Sequence, residues 1–141
     1  MSTQKCKPIL VSDVMLELKS TPVINQKVIL KEALEVMGRN HLGIICITSE
    51  KNNKLMGILT DGDIRRKLLK IQKPFSAFFI DDALDHAILT PLTIKPNDTI
   101  VEAVKIMEKK RIWDLPVINE DGSLVGLMHL HPAISALLKT S

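Results

Sequence analysis

The sequence predicts an α+β fold made of two copies of one strand-helix-strand-strand-helix unit, packed with pseudo-two-fold symmetry. Glu32-Ala33 recurs as Glu102-Ala103, and Met37 as Met107, each at a spacing of 70 residues (102 − 32, 107 − 37). Gly57 recurs as Gly126 at 69 (126 − 57), one residue being lost in a turn. Half of a 141-residue chain has too little interior to bury its apolar faces alone. The copies are therefore expected to pack on each other and form two equivalent clefts. The expected division is a tail over 1–10, a first repeat over 11–73 and a second over 74–141.

In the first copy, Ser12-Asp13-Val14-Met15 reads as a short capped helix and Thr21 to Ile24 as a brief extended segment. Ile29 to Arg39 is amphipathic, with Ala33, Leu34 and Met37 on one face. Leu42 to Thr48 is a nearly continuous apolar run of strand length, as in a strand covered on both faces. After a polar turn, Leu55 to Thr60 is the next strand, and a helix follows to about Gln72. The second copy repeats this order. Leu92-Thr93-Ile94 is extended, Thr99 and Glu102 have capping-box spacing at the head of a helix, and Leu115 to Ile118 is a strand. Asn119 to Gly122 is a hairpin turn and Leu124 to Met128 the closing strand. Pro132 suits the first turn of a last helix ending near Leu138.

Composition excludes several classes. The net charge of +3 is slight, and three Phe, one Trp and no Tyr are too few aromatics for a base-stacking surface, so no nucleic-acid partner is expected. No apolar run is long enough to span a membrane and no signal-peptide pattern opens the chain. Cys6 and Cys46 are far apart and unlike in context, which argues against a disulfide and for a reducing, cytoplasmic location. No nucleophile-base pair, glycine-rich phosphate loop or carboxylate dyad points to an independent enzyme.

The stretch Thr60-Asp61-Gly62-Asp63-Ile64-Arg65-Arg66 carries the chemistry. Asp63 suits the N-cap or first turn of the following helix, where its carboxylate can accept unpaired amides. Two arginines then stand where a helix dipole disfavours them, which an anion in front of them would explain. Thr60 and the turn amides could serve a phosphate with Arg66 as countercharge, while Asp63 accepts from a sugar diol. The same composition also arises as plain turn chemistry. In the second copy, His129-Leu130-His131 would place two imidazoles on one face of a strand, but no third ligand adjoins and no metal site is expected. Trp113 reads as an apolar plug at a cleft or subunit contact.

These motifs, Gly57 to Arg66 and Leu115 to Gly126 above all, resemble a tandem pair of cystathionine-β-synthase-type (CBS) domains, a Bateman module, over Val11 to Leu138. Within that family, Gly57 to Arg66 and Gly126 to His131 are similar to the regulatory tail of arabinose-5-phosphate isomerases of the 3-deoxy-manno-octulosonate (Kdo) pathway of lipopolysaccharide biosynthesis. A related pair precedes some sugar nucleotidyltransferases. The resemblance implies a regulatory nucleotide-binding module, with Thr60, Asp61, Asp63 and Arg66 at phosphate and ribose and Gly43 and Ile44 at the base. It implies AMP, ADP or ATP as ligand, or CMP or CMP-Kdo. A second cleft would involve Trp113, Asp114, His129 and His131, but it departs from the family pattern. His129 stands at the threonine position, and Pro132, at the aspartate position, offers no side-chain acceptor. A homodimer is expected, with a catalytic sugar-isomerase domain as partner. The alternative is a structural dimerisation module with vestigial clefts.

Overall fold

The computed structural model describes residues 7–139; the expectations for Cys6 and the start of the tail lie outside them. In chain order the elements are α1 (Val11–Val14), β1 (Leu16–Glu17), β2 (Val23–Asn25), α2 (Leu30–Asn40), β3 (Ile44–Thr48), β4 (Leu55–Thr60), α3 (Asp61–Lys70), α4 (Phe75–Phe79), α5 (Ile100–Lys110), β5 (Asp114–Ile118), β6 (Leu124–His129) and α6 (Leu130–Lys139). The α+β expectation holds, with two three-stranded sheets among the described residues. The chain gathers into two compact units. The first is Thr21–Pro91 with Asp121–Leu124; the second is the described residues through Ser20, Leu92–Glu120, and those from Val125 onward.

In the first unit β3 is central, parallel to β2 and antiparallel to β4. All five of its residues are buried, which is why its sequence is an unbroken apolar run rather than an alternating one. Ile47 faces Gly57 but Thr48 faces Leu55, so Met56 is the extra residue of a bulge on β4. Leu30, Ala33 and Met37 of α2 pack with Ile45, Ile47 and Leu59. Two elements lie where the sequence shows no periodicity: α4, and a 3-10 turn at Ala83–His86. Each is too short to display a helical repeat, yet they bury Phe78 and Ala83 completely.

In the second unit β6 lies between β1 and β5, with Leu16 opposite Leu127 and Glu17 opposite Gly126. The extended segment expected at Leu92 to Ile94 shrinks to one parallel bridge between Ile94 and Val117. The expected capping box opens α5: Thr99 Oγ1 accepts from the Glu102 amide at 3.2 Å, and the Thr99 amide donates to Glu102 Oε1 at 3.0 Å. Ile100, Ala103 and Met107 pack with Leu115, Val117 and Met128.

The repeat reappears in the hydrogen bonds. His41 and Arg111 end α2 and α5 in the left-handed region at φ 56°, each amide donating to the carbonyl of Met37 or Met107. The segment leading into each repeat recurs at 72 instead of 70. Ile29 pairs with Asp82 as Thr99 pairs with Leu10 (82 − 10, 99 − 29). The Leu30 amide donates to Asp81 O at 2.8 Å, and the Ile100 amide to Ile9 O at 2.9 Å. Each lead segment thus packs in the unit of the other repeat. The compact units depart accordingly from the division 11–73 and 74–141: residues 7–20 fold with the second repeat and residues 74–91 with the first. Sheet edges supply the reason, because β4 pairs outward with Ile88 and β6 with Leu16.

Candidate functional site

The first unit brings together most of the residues singled out in its sequence. Thr60 ends β4 and caps α3, its Oγ1 accepting from the Asp63 amide at 3.2 Å. Asp63 therefore lies in the first turn, and its carboxylate does not take the helix amides as the sequence suggested. Oδ2 accepts from the Thr60 hydroxyl at 2.7 Å, and Oδ1 accepts from Arg66 Nη2 at 2.7 Å. Arg66 is thus paired within the protein, although its side chain remains 60% exposed. Each carboxylate oxygen keeps a further lone pair for a ligand hydroxyl.

The Asp61 amide donates to Gly43 O at 3.0 Å. A Cβ at Gly43 would stand 2.8 Å from Asp61 Oδ2, so any larger residue there requires the Asp61 carboxylate to move aside. Ile44 is the register partner of Thr60, but its side chain is 2% exposed and belongs to the interior. Gly43 is exposed.

Asp63 and Arg66 share a cavity of about 510 Å³ with Lys67, Lys70, Ile71, His86, Ala87 and Ile88. Lys67, Lys70 and His86 were not singled out from sequence as site residues. The spacing of four from Asp63 to Lys67, and of seven to Lys70, marks one helix face. His86 arrives from the turn before Ile88, whose amide and carbonyl exchange bonds with Ile58 at 2.8 and 3.0 Å. Asp81 Oδ2 accepts from Lys73 Nζ at 2.6 Å and from His86 Nε2 at 2.9 Å. The Lys73 bond first, then the His86 bond, hold Asp81 below its ordinary carboxylate value. An ionised carboxylate only accepts, so Nε2 carries the hydrogen. His86 Nδ1 is buried with no hydrogen-bond partner.

The second unit keeps the backbone and changes the chemistry. The Leu130 amide donates to Trp113 O at 2.9 Å, matching the bond from Asp61 to Gly43. Where the first repeat has Ile44 and Thr60, the second has Asp114 and His129, joined from Nδ1 to Oδ1 at 2.7 Å. Burial raises the Asp114 carboxyl above its ordinary value, while the hydrogen bond and charge of His129 act in the opposite direction. β6 ends at His129 and α6 begins at Leu130, so His131 is helical and the strand alternation that would pair the two imidazoles stops. Trp113 is 70% exposed and does not plug its own unit. Among the described residues no group of three His, Cys, Asp or Glu is placed to hold a metal ion, and no helix is long and apolar enough to cross a membrane.

Two repeats of this topology, each closing a strand directly into a helix, define a paired-repeat module. Residues 11–70 and 85–131 match the CBS domain, and the chain belongs to the CBS-domain family. The arabinose 5-phosphate isomerase KdsD of Salmonella typhi is 30% identical over 128 residues, covering 89% of this chain and 37% of that protein. The chain spans little more than a third of the length of the first curated relatives that it matches. A CBS domain-containing protein of Bacillus anthracis superposes with a TM-score of 0.84 at 18% identity, covering 99% of both chains. The structure of CBSX2 in complex with AMP gives 0.80 at 21% identity, covering 93% of this chain and 97% of that one. The two matched stretches, residues 11–70 and 85–131, take up most of the 141 residues.

Proposed function

We propose that this CBS pair senses a nucleotide in the cytoplasm and thereby regulates a sugar-phosphate isomerase domain. The ligand class is an adenosine nucleotide (AMP, ADP or ATP) or a cytidine one such as CMP or CMP-Kdo. One observation carries the reading: Thr60, Asp63 and Arg66 form a hydrogen-bonded row at the head of α3, and Asp63 and Arg66 line a cavity of about 510 Å³. That volume is in the range of small-molecule sites. The likeness to KdsD supports the isomerase partner, and AMP in the CBSX2 complex supports the ligand class. The ligand acts by binding one conformation of the module better than another, since only differential affinity can transmit a signal.

The test is thermal shift followed by calorimetry with AMP, ADP, ATP, CMP and CMP-Kdo. A ligand bound only by the folded state raises the apparent Tm. Asp63→Ala should weaken binding by about 1–3 kcal/mol, the scale of hydrogen bonds to charged groups. A 2′-deoxy ligand should lose affinity for the wild type and much less for the variant. Equal losses in both proteins would remove Asp63 from diol recognition.

A second reading rests on exposed apolar side chains. Leu69 of α3 is 82% exposed and Leu138 of α6 is 70% exposed, with Val101 and Ile134 also uncovered. A homodimer through these helices fits them, and a purely structural dimerisation module would show it without any nucleotide response. The regulatory pair of a sugar nucleotidyltransferase is the remaining alternative, separated from the isomerase by which catalytic domain the pair modulates.

A further inference from the structure

We infer that the cavity along α3 measures the length of a ligand's phosphate chain, taking a nucleoside triphosphate in preference to a monophosphate. This rests on the nucleotide reading of Asp63 and Arg66 and extends it to groups further along the helix. Asp63, Arg66, Lys67 and Lys70 follow at i, i+3, i+4 and i+7, which puts all four on one face, and all four line the same cavity. Seven residues of α-helix rise about 10 Å from Asp63 to Lys70. A ribose diol on Asp63 and a single phosphate near Arg66 use only the first turn of that distance. Each added phosphate extends the ligand toward Lys67 and then Lys70.

The charges are arranged accordingly. Asp63 already neutralises Arg66 at 2.7 Å, so the near end of the row is balanced. Lys67 and Lys70 make no ion pair with any described residue, so the far end presents unbalanced positive charge. Ile71, Ala87 and Ile88 add apolar side chains to the same lining and shield that charge from part of the solvent. The Ile58–Ile88 pairing brings the His86 turn alongside β4. One helix face then holds sugar at its start and phosphates along its length.

Calorimetry on the full chain with AMP, ADP and ATP, and in parallel CMP, CDP and CTP, in chelator to exclude divalent ions, tests this. Wild type should bind the triphosphate about tenfold tighter than the monophosphate, the diphosphate falling between. In Lys67→Gln/Lys70→Gln the gap should close, because triphosphate affinity falls far more than monophosphate affinity. Equal affinity across a series in the wild type, or a gap that survives in the variant, overturns the inference and leaves the nucleotide reading standing. Failure of every nucleotide to bind overturns both.

Discussion

Gly57 and Gly126 are the residues at which the repeat is least tolerant. A Cβ at Gly57 would meet Ile88 O at 2.8 Å and Ala87 Cβ at 3.3 Å; at Gly126 it would run into Leu16 O and lie 2.9 Å from Met15 Sδ. In each case the nearest atom is a backbone carbonyl of the flanking lead segment and cannot rotate away. Gly57→Ala and Gly126→Ala should each cost about 1–3 kcal/mol, as overpacking does. Gly38 sits in exposed helix with nothing near its missing Cβ, so Gly38→Ala should gain about 0.5–1 kcal/mol. Urea midpoints decide it, and an indifferent Gly57→Ala would refute the close approach. Asp114 gives a pH signature. Its folded value is raised, so folding favours the protonated acid. That contribution is full below the ordinary value of 3.8 and is lost as pH rises through the folded value. Ionised Asp114 is thus a cost at neutral pH. Asp114→Asn keeps an acceptor for His129 and should be more stable than wild type at pH 7, the difference shrinking as pH falls through the raised folded value towards 3.8 and staying constant below it. A constant difference across the titration would contradict it. At this scale the sequence disclosed the Thr60–Asp63 pair, because its spacing of three is local. It did not disclose that Arg66 is spent on Asp63, nor that His86 joins the cavity, since both depend on side-chain placement and a distant turn.

The helices with apolar faces and the buried strands were legible, since periodicity registers any element longer than about two turns. α4 and the Ala83–His86 turn fall below that length. The exchange of lead segments was also hidden, because a chain reads the same whether an edge residue pairs with its own repeat or with the other. That exchange is testable by removing residues 1–20. The second unit would lose β1 against β6, the Ile100 amide's bond to Ile9 O and the buried Val11 side chain. The truncated protein should unfold in two transitions, with the signal of Trp113 in the earlier one and the first unit nearly unaffected. A single transition at the wild-type midpoint would show that the lead segment contributes nothing.

For the whole molecule, the internal repeat announced the two-copy fold, because matched positions 70 residues apart constrain every element between them, while the motifs Gly57 to Arg66 and Leu115 to Gly126 carried the resemblance to the family. A homodimer is the expected way to cover what the chain leaves exposed. Leu69, Val101, Ile134 and Leu138 fall on the helices α3, α5 and α6, and isologous two-fold contacts are the commonest way to cover such faces. Sedimentation should show a homodimer at micromolar concentration, and Leu69→Glu with Leu138→Glu should return it to monomer. A wild-type monomer at high micromolar concentration would sink the assignment. The path of the chain has a further consequence for synthesis. Leu16 meets Leu127, 111 residues later (127 − 16), and the first unit takes in Asp121–Leu124. On the ribosome, therefore, neither unit can be completed when its own repeat emerges. The early segment must wait, unpaired, for nearly the last strand to be made, and closing so long a loop is entropically slow. A ribosome stalled near residue 75 would carry a nascent chain with neither half finished, and the second unit should acquire its structure only once β6 has emerged.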